Sequence, residues 1–364
     1  MNCRLLYLVG QLGVGGLERQ LYYLLQTMDR ERYKPAVVVW NYCEKDAYLQ
    51  QIREFGVPVY SFSGKVSPSA KLRALRRMIR DLEPELLHSY SFYTNFAGYW
   101  ATRYTRVVVV GSIRNELNWS KKEEGPWLGR LSARWPPDQI YNTYSAAETA
   151  RSSHSFFIPK RFSVVHNGLD LEMFQGSPLS AHEKVYILGV GSLCLRKRWD
   201  RLLLAVVELK QMGIDCSIRI AGEGPLLESL IQQAQELGIE KHVEFLGHSN
   251  DVPSLLAESR FLAHTSDNEG CPNAVMEAMA CGRAVVAMNA GDISYLVEDG
   301  KTGFVVEGED FTKFVKSLMT LITDVELCRR MGEAGRLKAE REFRLDRLVN
   351  ETLAAYRSAG WKDN

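Results

Sequence analysis

Short apolar runs rich in Val, Ile and Leu alternate along the chain with stretches of helical periodicity. The runs predict strands over 4–10, 35–40, 84–90, 106–112, 139–143 and 162–167 in the first half. They predict strands over 184–191, 216–222, 242–247, 260–266, 283–289 and 302–306 in the second. Near-continuous apolar strands belong to parallel sheets covered on both faces. Helical patterns over 200–212, 225–237 and 310–323 supply such covers, so the alternation argues for doubly wound α/β domains.

Each half opens in the same way. "LLYLVG" leads through Gly13, Gly15 and Gly16 into a helix, and "YILGVG" leads through "SLCLRKRWD" into another. Two Rossmann-like domains facing across a cleft are therefore expected. The expected boundaries are 1–174 for the first, 175–183 for a turn-rich linker and 184–342 for the second. An amphipathic tail over 343–364 is free to pack back on the first domain.

The 46% hydrophobic and 24% charged composition of the 364 residues suits a chain of about two globular domains. Net charge is +1, but unevenly spread: 23 Lys+Arg stand against 16 Asp+Glu through residue 174, and 22 against 28 beyond it. A basic first half suits an anionic partner. Seven scattered cysteines without a CxxC pair read as a reduced, cytoplasmic protein. No run approaches the roughly 18–20 apolar residues that span a bilayer. The basic amphipathic stretch over 70–82 either lies on an anionic membrane face or packs on its own sheet, with the latter favoured. Trp119, Trp127 and Trp135 flank a Gly/Pro-rich segment, 115–137, that suits an acceptor-side loop.

Neither glycine loop completes a dinucleotide fingerprint: Glu18 and Cys194 occupy the third glycine positions, and Lys-Ser/Thr is absent after Gly15. The first loop still suits either an anion at a helix start or a plain tight turn. Arg196, Lys197 and Arg198 follow a core strand, where a diphosphate would find its countercharge. "DNEGCPNAVMEAMACG" places Glu269 in a loop and Glu277 within an otherwise apolar helix, with Asn273 as the expected N-cap. A buried carboxylate there needs donors, and ligand hydroxyls are good ones. The seven histidines form no HExxH motif or close pair, and no two aspartates lie two residues apart, so no metal is expected.

These stretches, in order, resemble the retaining GT-B-fold glycosyltransferases of family 4 (glycosyl transferases group 1). "VGQLGVGGLERQ", "PELLHSY", "VVHNGLDLEMF", "GVGSLCLRKRWDRLLLA", "VEFLGHSNDVPSLLAES" and the Glu-x7-Glu of "EGCPNAVME" carry the likeness over nearly the whole chain. The resemblance implies retaining transfer of a hexose or N-acetylhexosamine from a nucleotide diphosphate sugar, UDP-linked by preference. The implied acceptor is a saccharide or lipid-linked saccharide, in cell-surface polysaccharide or glycolipid synthesis. It implies no cofactor, metal or nucleic acid, and a cytoplasmic enzyme with possible peripheral contact to the inner membrane face. A same-fold epimerase or phosphorylase, or a catalytically silent sugar-binding subunit, is the alternative.

By the same resemblance Glu269 binds the transferred sugar, with the backbone of Gly270, Cys271, Pro272 and Asn273. Glu277 takes the ribose, and Lys197, with Arg196 or Arg198, takes the diphosphate beside Ser192, Gly15 and Gly16. Main chain around Gly247 and His248 holds the base, and His88, Tyr90 and Asn167 lie on the acceptor or sugar side. The chain departs from the family pattern at Ser192, Tyr90 and Tyr295, where Arg, His and Glu are usual.

Overall fold

The structure is a computed structural model that describes residues 3–62, 67–114, 127–153, 155–179 and 185–363. Trp119 and residues 115–126 of the expected acceptor-side loop lie outside the described residues, as do 180–183 of the expected linker.

The chain forms two compact units. The first comprises Met1–Gly168 and Leu345–Asn364, the second Leu169–Arg344. The division thus falls between Gly168 and Leu169, ahead of the turn-rich 175–183. Residues 169–179 belong with the second unit because Leu169 and Phe174 are buried in its core beside Met276, Met279 and Phe343.

The first unit is built on a seven-stranded parallel sheet. In chain order the strands are β1 (Leu5–Val9), β2 (Pro35–Val39), β3 (Val59–Ser61), β4 (Leu86–Ser89), β5 (Val108–Ile113), β6 (Asp138–Tyr141) and β7 (Arg161–Val164). Their order across the sheet is β3-β2-β1-β4-β5-β6-β7. β1 is buried along its whole length, as a central strand covered on both faces must be. One covering layer joins the helix Gly16–Thr27 to the C-terminal helix Leu345–Ser358, whose Leu348, Leu353 and Tyr356 share a core with Leu5, Tyr7 and Leu24. On the opposite layer the basic helix Pro68–Leu82 sets Leu75 and Ile79 against Leu6, Leu8, Val38 and Leu87. Its apolar stripe is therefore occupied by its own sheet, with Arg73, Arg77 and Arg80 exposed.

The second unit has six parallel strands: β8 (Tyr186–Val190), β9 (Ser217–Ala221), β10 (Val243–Gly247), β11 (Phe261–His264), β12 (Val285–Met288) and β13 (Gly303–Val306). The order is β10-β9-β8-β11-β12-β13. β8 and β11 are in register with Ile187 opposite Phe261 and Leu188 opposite Leu262. Ile187, Ile218 and Phe261 face the helices Trp199–Gln211 and Phe311–Thr323, while Leu188, Leu262 and Val285 face the helix Asn273–Ala280. That two-sided cover explains why these strands read as unbroken apolar runs.

Candidate active site

In the second sheet the strand order reverses between β8 and β11. In an open parallel sheet, the loops leaving the carboxyl ends of strands at such a reversal form the ligand crevice. Here the loop after β8 carries Lys197 and the loop after β11 carries Glu269. Nζ of Lys197 stands 2.5 Å from Oε1 of Glu269, with the two side chains 12% and 10% exposed. The same oxygen lies 3.5 Å from Nε2 of His264, at the end of β11.

Burial alone would raise the Glu269 pKa. The nearby His264 ring and the charge of Lys197 outweigh it and hold the carboxyl well below the usual carboxylate range. For His264 burial dominates; Glu269 pulls the other way, but the Lys197 ammonium adds to burial, and the pKa falls below the ordinary histidine value. The cluster is thus an ammonium, a carboxylate and a neutral imidazole, all three largely buried.

The two loops are sewn together by contacts that the sequence does not announce. Oγ1 of Thr265 donates to the Lys197 carbonyl at 2.7 Å, and the Asp267 amide donates to the Arg196 carbonyl at 3.0 Å. Arg201, almost wholly buried, binds the Thr265 carbonyl at 2.8 Å and the Asp267 carboxylate at 2.9 Å. Arg198 pairs with Asp267 at 2.8 Å and with Asp200 at 3.1 Å. Its charge is therefore matched within the protein, as that of Lys197 is by Glu269. Arg196 is exposed. It and Ser192 also bond the Cys194 thiol, and together they outweigh burial and lower that thiol's pKa. Ser192 is exposed at its side chain, and its carbonyl accepts the Trp199 indole N–H at 3.0 Å.

Gly270, Cys271 and Pro272 are buried in the turn that follows Glu269. Asn273 is the first residue of the next helix and not its N-cap. Pro272 holds that position and has no side-chain donor or acceptor to cap the helix. Pro272 fixes the extended backbone needed just before a helix, so its own part in the cap is conformational. Glu277 is buried on this helix among Val275, Met276, Ala278 and Met279. From the far side, Asp292 donates its amide to the Gly270 carbonyl at 3.2 Å. Gly291, in the left-handed region at φ +60°, packs so closely that a side chain there would overlap the Glu269 carbonyl oxygen.

Gly247 ends β10 at φ +67° and accepts the Gly222 amide at 2.7 Å. His248 is exposed, with Nε2 3.0 Å from Oδ1 of Asn250. β9 stands between this edge strand and β8. Tyr295, where the family has Glu, lies in the short helix Ile293–Leu296, and its carbonyl accepts Lys338 Nζ at 2.5 Å.

In the first unit the glycine loop leaves β1 at that sheet's own reversal point, between β1 and β4. Gly15 is extended, and the helix begins at Gly16. A side chain at Gly15 would meet the Glu18 carboxylate. Burial foremost raises the Glu18 pKa and Asp46 adds to it, against the Glu18 amide, Gln11 and Arg114.

His88 and Tyr90 are each 1% exposed, which departs from their expected place facing a sugar. Both His88 ring nitrogens are occupied, Nδ1 by the Tyr356 hydroxyl and Nε2 by Ser112 Oγ, each at 2.7 Å. The Arg114 guanidinium covers the Tyr90 ring at 3.9 Å from its centroid. Asn167 is buried too, its carbonyl taking Arg347 at 3.1 Å. These three residues build the interior of the first unit. Sequence reasoning passed over His264, Arg201, Asp267 and Gly291. A lone histidine five positions before Glu269 was the one signal available for His264.

Two doubly wound parallel sheets of seven and six strands are the architecture of the GT-B class of α/β protein. The family model for Glycosyltransferase Family 4 matches residues 14–173, and that for Glycosyl transferases group 1 matches residues 172–338. Among curated relatives, a GDP-mannose-dependent phosphatidylinositol monomannoside mannosyltransferase of Mycolicibacterium smegmatis is 33% identical over 64% of this chain and 65% of its own. A UDP-Gal:alpha-D-GlcNAc-diphosphoundecaprenol galactosyltransferase of Escherichia coli is 24% identical over 84% of each chain. The solved structure of Anabaena HepE in complex with UDP superposes with a TM-score of 0.82 at 21% identity, over 98% of this chain and 100% of its own. The chain spans about half the length of several curated relatives that it matches, 54% and 49% for two of them. The chain belongs to the GT-B glycosyltransferases of family 4.

Proposed function

We propose that the protein transfers a hexose or N-acetylhexosamine from a UDP-sugar to a saccharide or lipid-linked saccharide, with retention of anomeric configuration. The observation that carries this reading is the Lys197–Glu269 pair at the reversal of the second sheet. In the proposed reaction the bond from the anomeric carbon to the diphosphate oxygen breaks through an oxocarbenium-like transition state. Negative charge grows on the leaving diphosphate, where Lys197 and the exposed Arg196 stabilise it. Glu269 accepts hydrogen bonds from the transferred sugar's hydroxyls, and Glu277 from the ribose. The leaving phosphate takes the acceptor's proton, so no protein nucleophile is invoked. The cations do the work a metal would otherwise do, and activity should survive a chelator.

UDP is favoured because HepE binds it and the Escherichia coli relative uses a UDP-sugar. The mannosyltransferase relative makes GDP-mannose the competing donor. Lipid-linked acceptors are named for both relatives. The exposed arginines of Pro68–Leu82 would meet such an acceptor at an anionic membrane face.

The test is turnover of UDP-, GDP- and ADP-sugars by the purified chain with a saccharide acceptor panel, with and without chelator. Glu269→Gln and Lys197→Ala should each lose more than tenfold in transfer while keeping a native far-UV circular dichroism spectrum at the assay temperature, with a lowered thermal midpoint. Near-full activity in either would sink the site assignment. Product formed without acceptor would favour an epimerase, and a need for inorganic phosphate a phosphorylase. Donor binding with no turnover on any acceptor would leave a silent sugar-binding subunit.

A further inference from the structure

His264 is the last residue of β11, a strand held between β8 and β12, and its side chain is 2% exposed. Its Nε2 is buried and has no hydrogen-bond partner at ordinary distance among the described residues. The polar atom it approaches is Oε1 of Glu269, at 3.5 Å, and that oxygen also takes Lys197 at 2.5 Å. Burial keeps the ring neutral, so a proton on Nε2 gives it one N–H to donate, and a shift of a few tenths of an ångström would bring the Glu269 carboxylate into its range.

The two partners of Glu269 differ in kind. Lys197 is an ammonium with three donors on a flexible stem, and a diphosphate carrying more charge than a carboxylate competes for it directly. His264 is a planar, buried ring with two rotatable bonds, carried on a strand held between β8 and β12, so it has less freedom to leave Glu269 than the lysine stem. A carboxylate deprived of Lys197 and lacking His264 would face burial alone, which favours its protonated form and frees its orientation.

We infer that His264 is a positioning residue for the sugar-binding carboxylate: its Nε2–H holds Glu269 in place while Lys197 turns to the donor's diphosphate. The inference rests on the reading of Glu269 as the residue that receives the transferred sugar. It assigns His264 a part in ordering the carboxylate, not in touching the reacting atoms.

The experiment is a double-mutant cycle in the full chain, with kcat and donor KM measured separately on the nucleotide sugar found to turn over. Glutamine places an amide N–H near the position of His Nε2; leucine places none, and asparagine falls short. His264→Leu and His264→Asn should therefore lower kcat by on the order of tenfold or more with little change in donor KM. His264→Gln should recover most of the loss. In a Glu269→Gln background, none of the three should lower the residual rate further. An equal loss from His264→Leu in both backgrounds, or equal activity of the Gln, Asn and Leu variants, would overturn the inference and leave His264 a packing residue. If His264→Leu does not fold, the Gln and Asn pair decides alone. Full activity of Glu269→Gln by itself would overturn the reading of the site, and this inference with it, whatever His264 does.

Discussion

Charge at the site is set by neighbours as much as by residue type. Glu269 stays ionised through the range where most carboxylates take a proton, because His264 and Lys197 outweigh its burial. His264 and His88 stay neutral because burial outweighs everything that would charge them. The consequences for stability share one sign. A depressed carboxylate stabilises above its unfolded pKa of about 4.3, and that contribution is lost as pH falls toward the folded value. A histidine of depressed pKa binds more protons unfolded than folded below about 6.5, so acid again favours unfolding. Glu18, raised by burial, opposes this as pH falls through its own elevated pKa. The thermal midpoint should therefore fall as pH drops from about 7.5 to about 5.5, where the histidines dominate. His88→Gln should flatten that slope in a pH series of melts, and an unchanged slope would remove His88 from the account.

His88 also marks what a single residue's context can hide. Its place at the end of a buried strand was legible, but its partner Tyr356 lies 268 positions along the chain. No local pattern could show that the ring would be consumed by the C-terminal helix. Glu277 was legible for the opposite reason: its neighbours in sequence are the neighbours that bury it.

At the scale of elements, the strand–loop–helix after β11 is held from both sides. Thr265, Asp267 and Arg201 tie it to the basic loop, and Gly291 presses on it from beyond β12. Gly291→Ala must adopt a left-handed backbone and clear the Glu269 carbonyl, a strain of about 1–3 kcal/mol. Transfer should drop by more than the modest shift in melting midpoint would account for, because the atom displaced belongs to Glu269's own backbone. Parallel activity and stability losses in that variant would argue that the contact is only structural. The strands carrying these loops were readable as apolar runs. β3 was not, because its three residues are half-buried at a sheet edge and show no continuous run. The loop stitching was also silent in the sequence, since Asp267 and Arg201 look like ordinary charged residues until the fold brings them together.

For the whole molecule, two α/β units were legible from the repeated alternation, but their composition was less so. The first unit closes only with residues 345–364, where Leu348, Leu353, Tyr356 and Trp361 complete its core. Trp361 also donates its indole N–H to Glu85 at 2.8 Å, and Arg4 grips the same carboxylate at 2.8 Å. Truncation after Arg344 should leave Tyr7, His88 and Leu5 without their cover while sparing the core of the second unit. Limited proteolysis should then digest the first unit selectively; a protected first unit would show that the last helix is dispensable.

The same helix sets an order in time. Chains emerge from the ribosome at about 5–20 residues per second, and domains generally fold as they appear. Here the unit synthesised first lacks a buried wall until everything up to residue 344 has already been made. The second unit can close as soon as its own residues emerge, while the first waits, its β1 partly uncovered, for the helix Leu345–Ser358. Of the two units, the one whose strands are made earlier is thus the one completed later.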